Sequence, residues 1–237
     1  MFARFKQRSY DIERLDTGDY TPAEYLRWQR EMSRIHRVFG EIRALRHSLI
    51  REVNASREAS VSILDVGAGS GELLRMLGKS LNGKKTFLAG VEIDMDAARS
   101  IRGVKSGREL FAVRSDALRL AFADDGFDYV FCTLFLHHLN DEQAVTLLTE
   151  MSRVARKKIF VIDLNRSPVA YYFYKIASRL FLQRLTREDG ALSILRSFQP
   201  SEIRRLAERA NLTDVSVQHS KANRLILSGR KANGEIS

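Results

Sequence analysis

Four acids and a pair of histidines carry the chemistry this sequence could perform: Asp65, Glu92, Asp116, Asp163 and His137-His138. The first lies in the stretch VSILDVGAGSG, Val61 to Gly71. There a short β-branched run gives way to a loop whose Gly67, Gly69 and Gly71 permit positive φ and close approach to a ligand. The helical pattern that follows, with Leu73, Leu74 and Leu77 apolar, aims the positive end of a helix at the same place. Such a strand, loop and helix suit a nucleotide-like ligand carrying a carboxylate or phosphate. A phosphate-binding P-loop needs Lys followed by Ser or Thr after its last glycine, and Glu72-Leu73 stand there instead. A dinucleotide fingerprint needs a third small residue where Glu72 sits, so that reading is weakened.

The other groups are placed by strands. Thr86 to Ile93 reads as a second buried strand ending at Glu92. A right-handed crossover sets that end beside the glycine loop, where a carboxylate can accept both hydroxyl hydrogens of a ribose. Leu110 to Val113 is a third strand, and Asp116 just beyond it is positioned for an exocyclic amino group such as that of adenine. Tyr129 to Leu134 is the fourth, followed by His137 and His138; Lys157 to Leu164 is the fifth, and Asp163 stands at its end. With those two ends adjacent, an Asp-oriented imidazole could take a proton from a hydroxyl, a base that would fail below about pH 6.5, where free imidazole protonates.

Around these strands the pattern is α/β. Met1 to Asp19 reads as a loosely held arm, and Thr21-Pro22-Ala23-Glu24 as a helix start for a segment running toward Phe39, with Gly40 as a break before Ile42 to Val53. Asn82 to Lys85 reads as a turn, Asp96 to Gly103 as a short helix, Asp141 to Val154 as a helix capped by Asn140, and Ser201 to Ala210 as a helix after Pro200. Thr213 to His219 and Arg224 to Gly229 read as a closing antiparallel pair, with a frayed tail from Asn233 to Ser237.

The segments LDVGAGSG, GVEID, SDALRLAFADDGFDYVF and LFLHHL together resemble the class I S-adenosylmethionine-dependent methyltransferases of the small-molecule type. The resemblance implies a Rossmann-like, mostly parallel seven-stranded sheet in the order 3-2-1-4-5-7-6, its last strand antiparallel, with helices on both faces. Residues 1–55 would form an N-terminal arm and helices, and 56–237 the methyltransferase domain, with a helical cap inserted at 165–199. It implies S-adenosyl-L-methionine as cofactor, its methionine end held by Asp65 and by Gly67, Ala68, Gly69 and Gly71. Glu92 with Ile93 would hold the ribose side and Asp116 with Ala117 the adenine, while Cys132 and Thr133 border the cofactor at the end of the fourth strand. His137, His138 and Asp163 are the catalytic candidates. The expected acceptor is a lipophilic or aromatic small molecule methylated on oxygen, less readily on carbon. RNA or protein methylation, and a non-catalytic cofactor-binding subunit, are the alternatives.

Composition narrows the rest. The chain of 237 residues has a single cysteine, Cys132, which excludes an internal disulfide and a cysteine-based zinc cluster, and no metal site is expected. No apolar run of transmembrane length and no signal-peptide core are visible, so a cytoplasmic protein is expected, monomeric or homodimeric. A net charge of +10 would suit a polyanion, but the basic residues are scattered along helices without the interleaved aromatics of a nucleic-acid groove. No Asn-Pro-Pro-Tyr or Asp-Pro-Pro-Tyr follows the fourth strand, which argues further against nucleobase amino groups as acceptors. In the insertion, Pro168 opens a helical pattern with Val169, Tyr172, Phe173, Ile176, Leu180 and Phe181 on one face. That face is expected to wall an apolar acceptor pocket. Packing against the N-terminal helices, or peripheral contact with a membrane surface, are the other readings.

Overall fold

The computed structural model describes residues 3–38, 41–81, 83–102 and 110–232. Phe39, Gly40, Asn82, Gly103 and the tail from Asn233 lie outside the described residues. The arm before α1 (Arg14–Thr17) and α2 (Pro22–Val38) opens with a 3-10 turn, Ala3–Phe5, and is not loosely held as expected, because Phe5 is buried and Arg8 donates to Arg196 O and Leu139 O. Next, α3 (Glu41–Leu45) passes through a π-helical turn, Arg46–Ile50, into α4 (Arg51–Ala55). The sheet strands are β1 (Ser60–Val66), β2 (Lys85–Glu92), β3 (Leu110–Arg114), β4 (Phe127–Thr133), β5 (Ala155–Leu164), β6 (Leu212–Ser220) and β7 (Arg224–Lys231). Between them lie α5 (Glu72–Ser80), α6 (Met95–Arg102), α7 (Asp141–Val154), α8 (Pro168–Phe181), α9 (Arg184–Arg196) and α10 (Pro200–Arg209).

The seven strands form one sheet in the order β3-β2-β1-β4-β5-β7-β6. Strands β1 to β5 pair in parallel, and β7 runs antiparallel to both of its neighbours. This is the expected topology. The central strands are apolar on both faces, as a sheet covered by helices on each side requires. Ile63, Tyr129, Phe131, Phe160 and Ile162 pack with α3 to α5 on one face. Leu64, Val66, Val130, Cys132 and Val161 pack with α7 and α10 on the other. The N-terminal helices therefore contribute Leu45, Leu49 and Val53 directly to a sheet core.

Capping chemistry sets the helix ends. Thr21 and Glu24 form the expected reciprocal box at α2, Thr21 N–H donating to Glu24 Oε2 at 2.8 Å and Glu24 N–H to Thr21 Oγ1 at 3.2 Å. Asn140 and Gln143 do the same at α7.

Helix α9 has no counterpart in the sequence reading of the insertion, and Gly190 in its middle explains why. A Cβ there would stand 2.1 Å from the Tyr174 hydroxyl. That hydroxyl donates to Thr186 O at 2.6 Å, so a poor helix former is retained to let α8 cross α9 closely.

The structure also corrects the expectation for α8. Its buried face is Tyr171 and Ser178, while Val169, Phe173, Ile176, Leu180 and Phe181 are exposed. The apolar stripe read as a pocket wall is turned to solvent, because Tyr171 and Tyr174, on the opposite side, pack with Phe5, Ile194 and Leu195.

Candidate active site

The glycine loop folds back on β2. Gly67, Gly69 and Gly71 have φ of 73°, 54° and 72°, values that disfavour any side chain. Val91 O accepts from the N–H groups of Gly67 and Ala68, both at 3.0 Å, and Ala68 O accepts from Gly71 N–H at 2.8 Å. Gly69 N–H donates to Glu92 Oε1 at 2.6 Å. These four N–H groups are taken within the protein, so the loop is a rigid frame more than an anion cradle. Space remains above it: a Cβ on Gly69 would meet nothing within 4 Å.

Beneath the loop, Gly90 of β2 lies opposite Asp65 of β1 in the parallel register. A Cβ on Gly90 would stand 2.9 Å from that of Ala68, so this glycine lets the loop sit down on the sheet. Sequence reading passed over it.

Two carboxylates face the cradle. Asp65 is buried, and its Oδ1 has no hydrogen-bond partner. Burial first, and then the nearby Glu92 charge, push its carboxyl well above the usual range. Glu92 is raised too, chiefly by burial, although the Gly69 and Ile93 N–H groups oppose the shift. Two poorly solvated acids beside the loop, one with an orphaned carboxylate oxygen, suit a ligand with a cationic group beside hydroxyls. The ammonium and ribose of S-adenosylmethionine fit both requirements.

Toward the expected adenine side, Ile93 is 64 % exposed and free to lie against a flat ring. Asp116 is exposed; its Oδ1 accepts from Leu118 N–H at 2.8 Å, and Ala117 is half-buried. Burial first, and more weakly the charges of Tyr20, Asp94 and Glu92, raise the phenol of Tyr25, so α2 lies near this edge. Cys132 is completely buried among α7 and α10 residues, and burial drives its thiol far upward, so its side chain serves the core. Thr133, the last residue of β4, is also buried.

At the next strand ends the expected pair is assembled. His137 Nδ1 lies 2.6 Å from Asp163 Oδ1, and His137 N–H donates to Asp163 Oδ2 at 3.0 Å. Leu134, with φ 50°, turns the chain after β4 and so delivers the histidine; a non-glycine residue there stores on the order of 1 kcal/mol or more. Burial would raise Asp163, but the adjacent His137 and the N–H groups of Leu164 and His137 outweigh it and hold the carboxylate below its ordinary range.

His138 does not join this pair. Its ring is half-buried, and its Nδ1 meets Asp16 Oδ2 at 3.1 Å.

Three residues missed in the sequence complete the arrangement. Glu13, from the arm before α1, is 3 % exposed and places Oε1 3.8 Å from His137 Nε2. Ser193 of α9 donates to that carboxylate at 2.8 Å. Burial raises Glu13 to about 7, against the opposing influence of His138 and the Ser193 hydrogen bond. Arg196 of α9 donates to the carbonyls of His137 and His138 and so fixes the turn. No local pattern marks these residues, because the arm and α9 reach the site only through tertiary packing. Glu13, His137 and His138 bring one donor atom each to within 4.8 Å of one another. Arg196 Nε stands 4.0 Å from Glu13 Oε1, and a fixed positive charge so close opposes a divalent cation there.

The sheet order and the glycine loop are those of the Rossmann-like methyltransferase fold. Residues 63–158 match the model of a family described as a methyltransferase domain, which spans the glycine loop, Glu92, Asp116 and the histidine pair. No curated protein matches the sequence. Among solved structures, a SAM-dependent methyltransferase from Aquifex aeolicus is similar with a TM-score of 0.56 and 18 % identity, over 83 % of this chain and 96 % of that one. Magnesium protoporphyrin IX methyltransferase from Synechocystis PCC 6803, with bound SAH, gives 0.57 and 15 %, over 89 % and 98 %. PigF with SAH gives 0.63 and 17 %, over 93 % of this chain and 62 % of that one. Among the described residues no helix is long and apolar enough to cross a membrane.

Proposed function

We propose that this enzyme methylates a hydroxyl oxygen of a small lipophilic or aromatic molecule, with His137 as the base. The observation that carries the reading is the Asp163–His137 pair, whose Nδ1 contact of 2.6 Å leaves Nε2 as the nitrogen available to a substrate. An Nδ1–H donated to Asp163 fixes the tautomer in which Nε2 accepts.

Glu13 Oε1 lies 3.8 Å from Nε2, too far for a direct hydrogen bond. A hydroxyl oxygen about 2.8 Å from each would bridge the two groups. Its proton would pass to Nε2, and the imidazolium formed would be stabilised by Asp163. Glu13 shields this spot and belongs to the arm, so the acceptor enters where the arm is displaced.

The bound cofactor supplies an electrophilic methyl group. Asp65 and the glycine loop would hold its methionine end, Glu92 its ribose, and Ile93, Asp116 and Ala117 its adenine. Holding the acceptor in line and dry is the larger task, worth roughly 7–11 kcal/mol in favourable cases. Phe135 and Leu164, both half-buried beside the dyad, supply apolar surface for a lipophilic acceptor.

Incubating the protein with methyl-labelled S-adenosylmethionine and a cell extract tests this reading. Label is expected in the solvent-extractable small-molecule fraction. Label confined to RNA or protein, or none transferred despite cofactor binding, would overturn it.

A further inference from the structure

Helix α8 presents to solvent what an amphipathic helix ordinarily hides. Val169, Phe173, Ile176, Leu180 and Phe181 are 80 %, 67 %, 69 %, 75 % and 77 % exposed. The spacing of the first four, alternately four and three residues, puts them on one line along the helix, about 1.5 Å of rise per residue. Tyr171 and Ser178 on the opposite side are buried against the body. The exposed line is thus a convex ridge and not the wall of a groove.

Cations lie on one flank of the helix, between the ridge and its buried side. Lys175 Nζ lies 5.7 Å from the centroid of the Tyr171 ring, and the Arg4 guanidinium lies 4.8 Å from it. Arg179 is exposed one turn on from Lys175. No Asp or Glu occurs between Asp163 and Glu188, and the whole chain carries +10.

We infer that this ridge binds the surface of an anionic lipid bilayer. Large apolar side chains in line, with basic residues beside them, are what an interfacial helix needs to seat its apolar face at the headgroup boundary while its cations meet lipid phosphates. A second copy of the chain is a poorer occupant. Pairing the same face on itself would bring Lys175 and Arg179 of both copies together, with no acid on either helix to answer them. The inference does not depend on the identity of the methyl acceptor.

Sedimentation of the full chain with vesicles tests it. One set contains phosphatidylcholine alone, the other phosphatidylcholine mixed with phosphatidylglycerol. Wild type is expected to pellet with the mixed vesicles, more weakly as salt is raised and weakly with the neutral ones. Phe173→Ser combined with Ile176→Ser should reduce the partition about tenfold or more. Lys175→Glu combined with Arg179→Glu should abolish the preference for anionic vesicles. All these side chains are exposed, so unchanged melting temperature and S-adenosylhomocysteine affinity should accompany the loss. Wild type that stays in solution with both vesicle types would overturn the inference, as would a serine variant that pellets like wild type. A concentration-dependent dimer that the serine variant abolishes, with no vesicle binding, would overturn it in favour of a second copy.

Discussion

His137 Nδ1 and Asp163 Oδ1 are 2.6 Å apart in the interior, the histidine on the turn after β4 and the aspartate at the end of β5. Asp163 also receives two backbone N–H groups, from His137 at 3.0 Å and Leu164 at 2.7 Å. Three contacts to the carboxylate therefore hold one loop in one orientation. Asp163→Asn would offer an amide to the same donors and could impose the other tautomer. It is expected to lower kcat by about 10²-fold or more, while S-adenosylhomocysteine affinity by calorimetry stays within a few-fold. Loss of affinity and rate together would mark Asp163 as a structural strut.

Glu13 links stability to pH. Its carboxyl, raised by burial from the ordinary 4.5 to about 7 in the folded chain, favours the folded state while protonated. That contribution is fully present below about pH 4.5 and is lost as pH rises through 7. The difference is on the order of 3 kcal/mol at alkaline pH. Glu13→Gln mimics the protonated acid and keeps an acceptor for Ser193. The variant should match wild type near pH 4.5 and exceed it at pH 8, as measured by urea unfolding. Parallel stability curves for the two proteins would contradict this.

The orphaned oxygen of Asp65 predicts a proton signal. Burial, and then Glu92, push the Asp65 carboxyl well upward, so an ammonium seated beside its orphaned oxygen would favour release of a proton. Binding of S-adenosylhomocysteine, which retains the ammonium, should release that proton. Its calorimetric enthalpy should then vary with the ionisation enthalpy of the buffer. Asp65→Asn should remove the dependence; a buffer-independent enthalpy in wild type would argue that Asp65 is already ionised.

Gly90→Ala tests the seat of the loop. An added methyl 2.9 Å from Ala68 Cβ and 3.0 Å from Ile101 Cδ1 must push the loop away from the sheet. Overpacking of this kind costs about 1–3 kcal/mol, so S-adenosylhomocysteine should bind roughly tenfold or more weakly. Undiminished affinity would show that the loop adapts.

What the sequence revealed and what it hid divide along physical lines. The strands, the glycine loop and the acids at strand ends were legible because each depends on local pattern, β-branched runs and a G-x-G-x-G spacing, whereas the strand order came from the family resemblance. The capping box at Thr21 and the cap at Asn140 were legible for the same reason. Glu13 and Arg196 were not, since nothing in their neighbours says that an arm and a late helix will converge on His137. The motif alone does not show that the Gly69 N–H donates to Glu92, a contact from the loop to the end of β2. The apolar face of α8 was read correctly as a face and wrongly as a wall. Periodicity identifies the stripe, while Tyr171 and Tyr174 decide which side packs.

The most direct measurement is the rate of labelled methyl transfer into the extractable acceptor fraction by wild type and His137→Ala at saturating cofactor. Melting temperature and S-adenosylhomocysteine affinity should be recorded on the same samples. A base at His137 predicts that the variant remains folded, binds the cofactor as wild type does, and loses about 10²–10⁴-fold in kcat. A folded His137→Ala enzyme with full kcat would contradict it and leave the rate to orientation alone.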